Sequence, residues 1–239
     1  MNSVEFRCYY LTSNSMNFER KLLITQKLKM KKLLKNVSFV ILLLKMSFIF
    51  GQETVTQKRI VIDVGHGGKD SGAIGINSIQ EKDIVLDIAL EILSLNENSE
   101  KPMDIYLTRY KDTLISLSDR TKLASALKAG VFISLHCNHS NNPNARGIEV
   151  YVSNNESHYL DDSTWLAFQL QGAFNKELGF ESRGVKFADF QVLRETADFC
   201  PSVLLELGFL SNKDEGSYIS DFDNIRRIAF TVLQSQQKY

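Results

Sequence analysis

Two histidines lie where a folded chain could bring them together for chemistry. His66 follows the β-branched run Ile60–Val64 and stands among closely spaced glycines. His136 ends a second apolar run, Val131–His136, and a turn-prone segment follows it. Ligands of α/β proteins bind at the carboxyl edge of the sheet, where strands end. We therefore expect both imidazoles to project into one crevice.

Two glutamates could complete such a site. Glu81 opens a predicted helix, where a carboxylate can also simply stabilise the helix dipole by about 0.3–1 kcal/mol. Glu206 lies in the apolar run Val203–Phe209, and burying an unpaired carboxylate there is costly, so Glu206 must pair with a cation or serve a site. Two imidazoles, one carboxylate and an open fourth position form a set used by catalytic zinc. The spacing is longer than in the helical His-Glu-x-x-His motif.

The other two histidines have weaker surroundings. His139 and His158 fall in segments expected to be surface loops. His139, three positions after His136, is the one that could replace a ligand of the predicted metal site.

Strands and helices alternate along the chain after residue 58, which is typical of a layered α/β domain. The predicted strands are Arg59–Gly65, Asp104–Thr108, Val131–His136, Gly147–Val152 and Ser202–Glu206, with a short extended piece at Phe190–Leu193. The predicted helices are Glu81–Leu95, Leu117–Leu127, Asp162–Leu178 and Asp223–Ser235. The fold class is α/β: a single domain with a mostly parallel or mixed sheet of about six strands flanked by helices.

Charge divides the chain into two parts. Residues 1–51 hold nine Lys/Arg and two acids, a net of +7, and because the whole chain nets zero, residues 52–239 net −7. An acidic domain disfavours nucleic acid as a partner, since phosphate binding needs clustered basic residues.

The basic part has the pattern of a secretion signal over residues 30–51. A basic start is followed by the apolar stretch Val37–Phe50 and by the small residue Gly51. This stretch is short for a membrane span and Lys45 interrupts it, although an uncleaved anchor is the alternative. We expect export to the periplasm or cell envelope. Residues 1–29 are interpreted as a start-site misassignment or a disordered leader.

Two cysteines, Cys137 and Cys200, lie in the predicted domain. Cys137 follows the end of one predicted strand and Cys200 precedes the start of another. If these strands are parallel, the two thiols lie at opposite edges of the sheet, too far apart to bridge. The sequence predicts no disulfide.

The segment from about residue 58 to the C terminus resembles the zinc-dependent N-acetylmuramoyl-L-alanine amidases, the catalytic domains of bacterial cell-wall amidases. Ordered blocks carry the resemblance: Ile62–Gly75, Glu81–Asp83, Leu107–Asp112 with Leu117–Arg120, Ser134–Asn138 with Arg146–Glu149, and Leu205–Asn212.

The resemblance implies a role for each of four residues. His66 matches the histidine of the Asp-x-Gly-His-Gly-Gly block, Glu81 that of Glu-Lys-Asp, and His136 that of Ser-x-His-x-Asn, which together would bind Zn²⁺. Glu206, in Glu-x-Gly-Phe-x-Ser-Asn, matches the catalytic glutamate. The expected reaction is hydrolysis of the amide between N-acetylmuramic acid and L-alanine of the peptidoglycan stem, for wall remodelling or daughter-cell separation.

Three positions depart from the family pattern without removing a ligand. Val64 stands where proline is usual, Ser125 where asparagine is usual and Cys137 where alanine is usual. We expect Cys137 to be a small packed side chain rather than a competing ligand.

Arg109 and Arg120 belong to the family blocks but have no metal role. We expect structural ion pairs for them, with Asp112 or Asp119 as partners, rather than binding of a substrate carboxylate.

Two other functions remain open from the residues. A zinc carboxypeptidase or other wall peptidase would need an arginine clamp for a terminal carboxylate, for which Arg183 and Arg194 are the candidates. A wall-binding domain without turnover is the non-enzymatic alternative. The short segment Ser153–Ser163 leaves little room for the inhibitory insertion of some family members, so we expect an open site or control by an external activator protein. We also expect a monomer.

Overall fold

A computed structural model describes residues 21, 23–42 and 58–237. The chain divides into two compact units, Met1–Thr56 and Gln57–Tyr239. In the first unit, residues 23–42 are helical and exposed, whereas residues 1–20 and 43–51 of the predicted leader and signal lie outside the described residues. None of the helices in the described ranges is long and apolar enough to span a membrane.

The second unit is built on one mixed sheet of six strands, as predicted. The strands are β1 (Arg59–Val64), β2 (Asp104–Leu107), β3 (Val131–Asn138), β4 (Ile148–Ser153), β5 (Ser182–Ala188) and β6 (Ser202–Phe209). Their order is β2-β1-β3-β6-β4-β5. All neighbours are parallel except β4 and β6, which are antiparallel.

Six α-helices cover the two faces of the sheet. They are α1 (Glu81–Glu97), α2 (Leu117–Ala126), α3 (Leu160–Leu178), α4 (Gln191–Thr196), α5 (Lys213–Ile219) and α6 (Phe222–Gln237). The larger core includes buried side chains of α1, α3 and α6 on one face. A smaller core, with residues of α2 and α4, lies on the other face. Both faces are thus buried, which explains why the central strands are continuously apolar.

The sixth strand is not where the sequence predicts it. Phe190–Leu193 was expected to be extended, but residues from Gln191 onward form helix α4. The strand is instead β5, which pairs only with β4 at the edge of the sheet. An edge strand needs no continuous apolar pattern, and the partly exposed Ser182–Ala188 shows none. The short helix α5 was also not predicted.

A buried ion pair fixes the end of β1. Arg120 Nη1 donates to Asp63 Oδ1 at 2.8 Å, and the two residues are 2 % and 1 % exposed. Asp63 also accepts hydrogen bonds from the hydroxyls of Thr108 and Ser134. Arg120 Nη2 donates to the carbonyl of His66 at 2.7 Å. The pair therefore holds the backbone at the start of the glycine loop.

Replacing Arg120 by methionine is expected to lower the free energy of unfolding by about 3–5 kcal/mol, because Asp63 would be left as a buried unpaired charge. Urea unfolding of the metal-free protein measures this change. Lys122→Met on the same helix is the matched control, since that lysine is exposed and should change stability by less than about 0.5 kcal/mol. A loss below about 1 kcal/mol for Arg120→Met would contradict the assignment.

The two predicted arginines are structural, as expected, but their predicted partners were wrong. Arg109 donates to the backbone carbonyls of Val64, Gly65 and Lys82 rather than to a carboxylate. Asp112 instead pairs with Lys82, and Asp119 pairs with Lys122 and accepts from Ser116, the N-cap of α2. The arginines thus bind carbonyls at the end of β1, which acid–base spacing in the sequence does not reveal.

Candidate active site

The glycine loop after β1 carries His66 toward α1. His66 itself has a φ of 59°, a left-handed conformation that costs free energy for a residue other than glycine. Gly72 has a φ of +65°, and a Cβ added there would lie 2.4 Å from Glu81 Oε2 and 2.6 Å from His66 Cδ2. Only glycine therefore lets the loop approach both side chains this closely.

The structure brings the three predicted ligand residues together. His66 Nε2 lies 3.1 Å from Glu81 Oε2, and His136 Nδ1 lies 2.8 Å from Glu81 Oε1. The two ring nitrogens, His136 Nδ1 and His66 Nε2, are 3.2 Å apart. One ligand atom from each residue falls within 4.8 Å of the others. The long sequence separations are thus closed by β1, β3 and the start of α1.

Backbone hydrogen bonds aim the carboxylate of Glu81. The N–H of Ala73 donates to Oε2 at 2.7 Å, and the N–H of Cys137 donates to Oε1 at 2.9 Å. Glu81 is buried at the first position of α1, the predicted helix start. From there its carboxylate contacts both histidines. Glu81 therefore does more than stabilise the helix dipole, which is the usual role of an acid in the first turn of a helix.

Glu81 and the two histidines interact electrostatically, and the pKa values of Glu81 and His66 are shifted. Burial alone would raise the pKa of Glu81, but hydrogen bonds from His136 and His66 lower that pKa well below its ordinary value. Burial alone would lower the pKa of His66, but Glu81 and Asp70 outweigh it and raise that pKa to about 9. Binding of a divalent metal to these atoms would therefore have to displace a proton.

Asp70 orients the His66 ring. His66 Nδ1 lies 2.9 Å from Asp70 Oδ2, on the side of the ring away from Glu81. Asp70 Oδ1 accepts the backbone N–H of Gly72 at 3.1 Å, which holds the carboxylate in the glycine loop. Metal-binding histidines commonly donate their second ring nitrogen to such a carboxylate.

Replacing Asp70 by asparagine is expected to weaken metal binding by about 10–100-fold, because the His66 ring loses the charged partner that fixes its tautomer and orientation. Competition with a chelating dye measures the dissociation constant. Asp161→Asn, at an exposed acid in the first turn of α3, is the control and should leave it unchanged. An unchanged constant in Asp70→Asn would show that Asp70 does not position the ring.

Glu206 lies beside this cluster on β6. Its Cα is the cross-strand partner of that of His136, so their side chains share one face of the sheet. Glu206 Oε2 is buried and accepts no hydrogen bond from the described residues. Burial, with Glu81 and Glu149 adding and the two histidines opposing, raises the pKa of Glu206 to about 7. A general acid–base should have such a pKa at neutral pH.

The donor set fits a first-row divalent metal. Two imidazole nitrogens and a carboxylate match the ligands of catalytic zinc sites, and Asp70 behind His66 matches the outer partner of a metal-binding histidine. Glu206 is a fourth polar group on the same face with an unpartnered oxygen, which suits a group that handles a proton rather than one that completes a closed structural site.

A cleft opens from these residues to solvent. Leu117 at the start of α2, Phe190 and Gln191 at the start of α4, and His139 after β3 form its walls. His139 is therefore near the site but does not belong to the three-residue cluster. His158 stacks edge-on against Tyr159 instead.

The other residues singled out in the sequence have different places. Cys137 is buried in the larger core, as expected of a packed side chain, and burial raises its pKa well above the ordinary value. Cys200 is buried in the smaller core, and both thiols are free. Arg183 pairs with Glu149 at 2.6 Å and Arg194 pairs with Asp189, so neither lies free at the three-residue cluster.

One residue of the site, Asp70, was not singled out from the sequence. Asp70 stands four positions after His66 in the glycine loop, a spacing that could have indicated it. Val64, which departs from the family's proline, uses its backbone N–H to donate to Thr108 Oγ1 at 2.9 Å. Proline has no N–H and could not make this hydrogen bond, so the bond helps explain why valine is tolerated at this position.

Comparison with known proteins places this geometry in a family. The sequence model described as N-acetylmuramoyl-L-alanine amidase matches residues 60–236. N-acetylmuramoyl-L-alanine amidase LytC of Bacillus subtilis is 37 % identical over 164 residues, which cover 68 % of this chain and 32 % of LytC. The chain thus spans about a third of the length of that relative.

Solved structures show the same fold. The catalytic domain of CwlV, an amidase from Bacillus (Paenibacillus) polymyxa, has a TM-score of 0.69 at 36 % identity, covering 76 % of this chain and 97 % of that domain. The CwlD amidase of Clostridioides difficile, solved in complex with the GerS lipoprotein, has a TM-score of 0.68 at 30 % identity, covering 76 % and 98 %. With the family match extending over most of the chain, the protein belongs to the N-acetylmuramoyl-L-alanine amidase family.

Proposed function

We propose that this chain hydrolyses the amide bond between N-acetylmuramic acid and L-alanine of the peptidoglycan stem. The observation that carries the proposal is the convergence of His66, Glu81 and His136, with Glu206 beside them on the neighbouring strand. The names of LytC and CwlV, both N-acetylmuramoyl-L-alanine amidases, support the same substrate bond.

His66 Nε2, His136 Nδ1 and an oxygen of Glu81 would hold a Zn²⁺ ion. Bound there, zinc would supply Lewis acidity for the lactyl carbonyl and would lower the pKa of a water molecule to about 7. Asp70 fixes the His66 ring from behind, and the N–H groups of Ala73 and Cys137 hold Glu81. These contacts would keep His66 and Glu81 in place before substrate arrives.

Glu206 moves the proton. Its carboxylate takes a proton from the attacking water, whose oxygen forms a bond to the lactyl carbon. As the carbon–nitrogen bond breaks, the same carboxyl gives its proton to the departing amine of L-alanine. The raised pKa of Glu206, about 7, suits a group that must first accept and then donate near neutral pH.

The peptidase alternative has less support. It needs an arginine for a terminal carboxylate next to the metal, but neither Arg183 nor Arg194 is among the described residues that line the cleft at the three-residue cluster. A binding domain without turnover would need neither the unpartnered carboxylate of Glu206 nor the three-residue cluster.

We further propose that the protein acts outside the cytoplasm, exported through the signal at residues 30–51. The three-part pattern of basic, apolar and small residues in that segment supports export. The complex of CwlD with GerS motivates an external protein partner for this chain as well. Peptidoglycan is the substrate, and the catalytic unit is a monomer that needs no second copy for its site.

Release of dye from labelled peptidoglycan tests the proposed reaction. We expect release by the zinc-loaded protein, loss of release after treatment with a chelator, and recovery when zinc is restored. New free amino groups of alanine should appear in proportion. Release that continues unchanged in chelator would contradict the metal-dependent mechanism.

A further inference from the structure

A row of charged side chains runs across the sheet from the proposed metal site. The Cα atoms of His136 and Glu206 are partners between β3 and β6, and those of Glu206 and Glu149 are partners between β6 and β4. Directly opposite residues share one face of a sheet. The carboxylate of Glu149 therefore lies next to Glu206, on the side away from His136.

Glu149 is buried, yet it is fully partnered. Its Oε2 accepts hydrogen bonds from Asn138 Nδ2 at 3.0 Å and from Tyr151 Oη at 2.7 Å. Its Oε1 accepts from Arg183 Nε and Lys186 Nζ, each at 2.6 Å. Two cations thus converge on one carboxylate.

An irregularity in the edge strand creates this convergence. Ile148 pairs with Ser182, but Val150 pairs with Val185, so β5 has one more residue than β4 in this interval. Gly184, inside it, has a φ of +86°, a conformation that favours glycine. Residues three apart normally face opposite sides of a strand. The extra residue turns Arg183 and Lys186 toward the same carboxylate, as β-bulges near active sites often do.

Both cations are partly exposed and keep spare hydrogen-bond donors in the described domain. Each side chain is 36 % exposed. Within the described domain, Lys186 uses one of its three N–H groups on Glu149, and Arg183 uses Nε there and Nη1 on the carbonyl of Arg146. An ammonium and a guanidinium with spare donors can together bind an anion.

The distance from the proposed reaction centre matches a peptide substrate. Neighbouring strands are about 4.8 Å apart, so Glu149, two strands from His136, lies about 10 Å from it. An extended peptide covers about 3.3–3.6 Å per residue. A carboxylate on the second or third residue of the stem would therefore reach the cations when its amide to the sugar lies at the proposed metal site.

We propose that Lys186 and Arg183 bind a carboxylate on the second or third residue of the stem peptide and so select acidic stems. The proposal rests on the proposed amidase function and adds a specificity subsite to it. In an otherwise acidic domain, this cationic pair beside the site is complementary to an acidic peptide.

Kinetics on three soluble muramyl tripeptides test the subsite. One substrate has free carboxylates, one is amidated only at the second residue and one only at the third. For the zinc-loaded wild type, we expect one of the two amidations to raise KM by about 10-fold or more, the loss expected for a charged hydrogen bond, with kcat nearly unchanged. The affected position identifies the residue that is bound.

Lys186→Gln should remove that difference in KM, and Lys186→Arg should restore most of it. Glu149 keeps Arg183, Tyr151 and Asn138 as partners in the glutamine variant, and urea unfolding checks that the variant folds. Lys176→Gln, at an exposed lysine on α3, is the matched control and should keep the difference.

Two results would overturn the subsite. One is equal KM values for all three substrates with wild type. The other is a Lys186→Gln variant that lowers kcat equally on all substrates and keeps the wild-type preference, which would give Lys186 a purely structural role. Absence of cleavage of every substrate by the wild type is a different outcome, because it would contradict the amidase function itself.

Discussion

Replacing Glu206 by glutamine is expected to lower kcat by about 10²–10⁴-fold and to leave the bound metal in place. Glutamine keeps the shape of the side chain in its buried position but cannot accept a proton from water. The proposed metal ligands come from the loop after β1, from α1 and from β3 rather than from β6. The proposed proton carrier is thus separable from the proposed metal site.

Steady-state kinetics and metal content measured on the same preparation check this prediction. Glu156→Gln, at an exposed glutamate, is the control and should match the wild type in both. A Glu206→Gln protein that retains more than about a tenth of kcat would exclude Glu206 as the general base. A variant that loses its metal would instead make Glu206 a ligand.

Replacing His136 by alanine is expected to remove metal and activity together. The loss of a nitrogen ligand should weaken metal binding by more than the roughly 10–100-fold expected for Asp70→Asn, because a ligand is removed rather than reoriented. Glu81 would also lose the hydrogen bond from His136 Nδ1 at 2.8 Å.

His139→Ala is the matched control for that variant. It removes an imidazole three positions away that lines the cleft but stands outside the three-residue cluster. We expect it to keep its metal, as measured by elemental analysis after dialysis. Metal loss in His139→Ala with retention in His136→Ala would reverse the ligand assignment.

Much of the fold follows from local sequence signals, because the central strands and long helices have strong ones. Apolar β-branched runs mark β1, β3 and β6, and helical periodicity marks α1. Edge strand β5 was not predicted because none of its residues is fully buried, so its sequence lacks the apolar pattern of a core strand. In the sheet it pairs with one neighbour, β4. Helix α4 was misread because its six residues are too few to show a helical period.

The site, too, could be predicted only in part from the sequence. His66, Glu81, His136 and Glu206 could be singled out from strand ends, a helix start and a buried acid. The partners of Arg109 and Arg120 could not, since they are carbonyls and an aspartate brought near only by the parallel pairing of β1 with β2 and β3. The convergence of Arg183 and Lys186 on Glu149 depends on one extra residue in β5, which no sequence periodicity shows.

The most direct test of the central claim is the mass of the products from a purified muramyl tripeptide treated with the zinc-loaded protein. The proposed amidase activity predicts two products: the sugar with a free lactyl carboxylate, and the intact peptide with a free N-terminal alanine. A sugar that still carries a shortened peptide would contradict it and would show that the protein cuts within the stem.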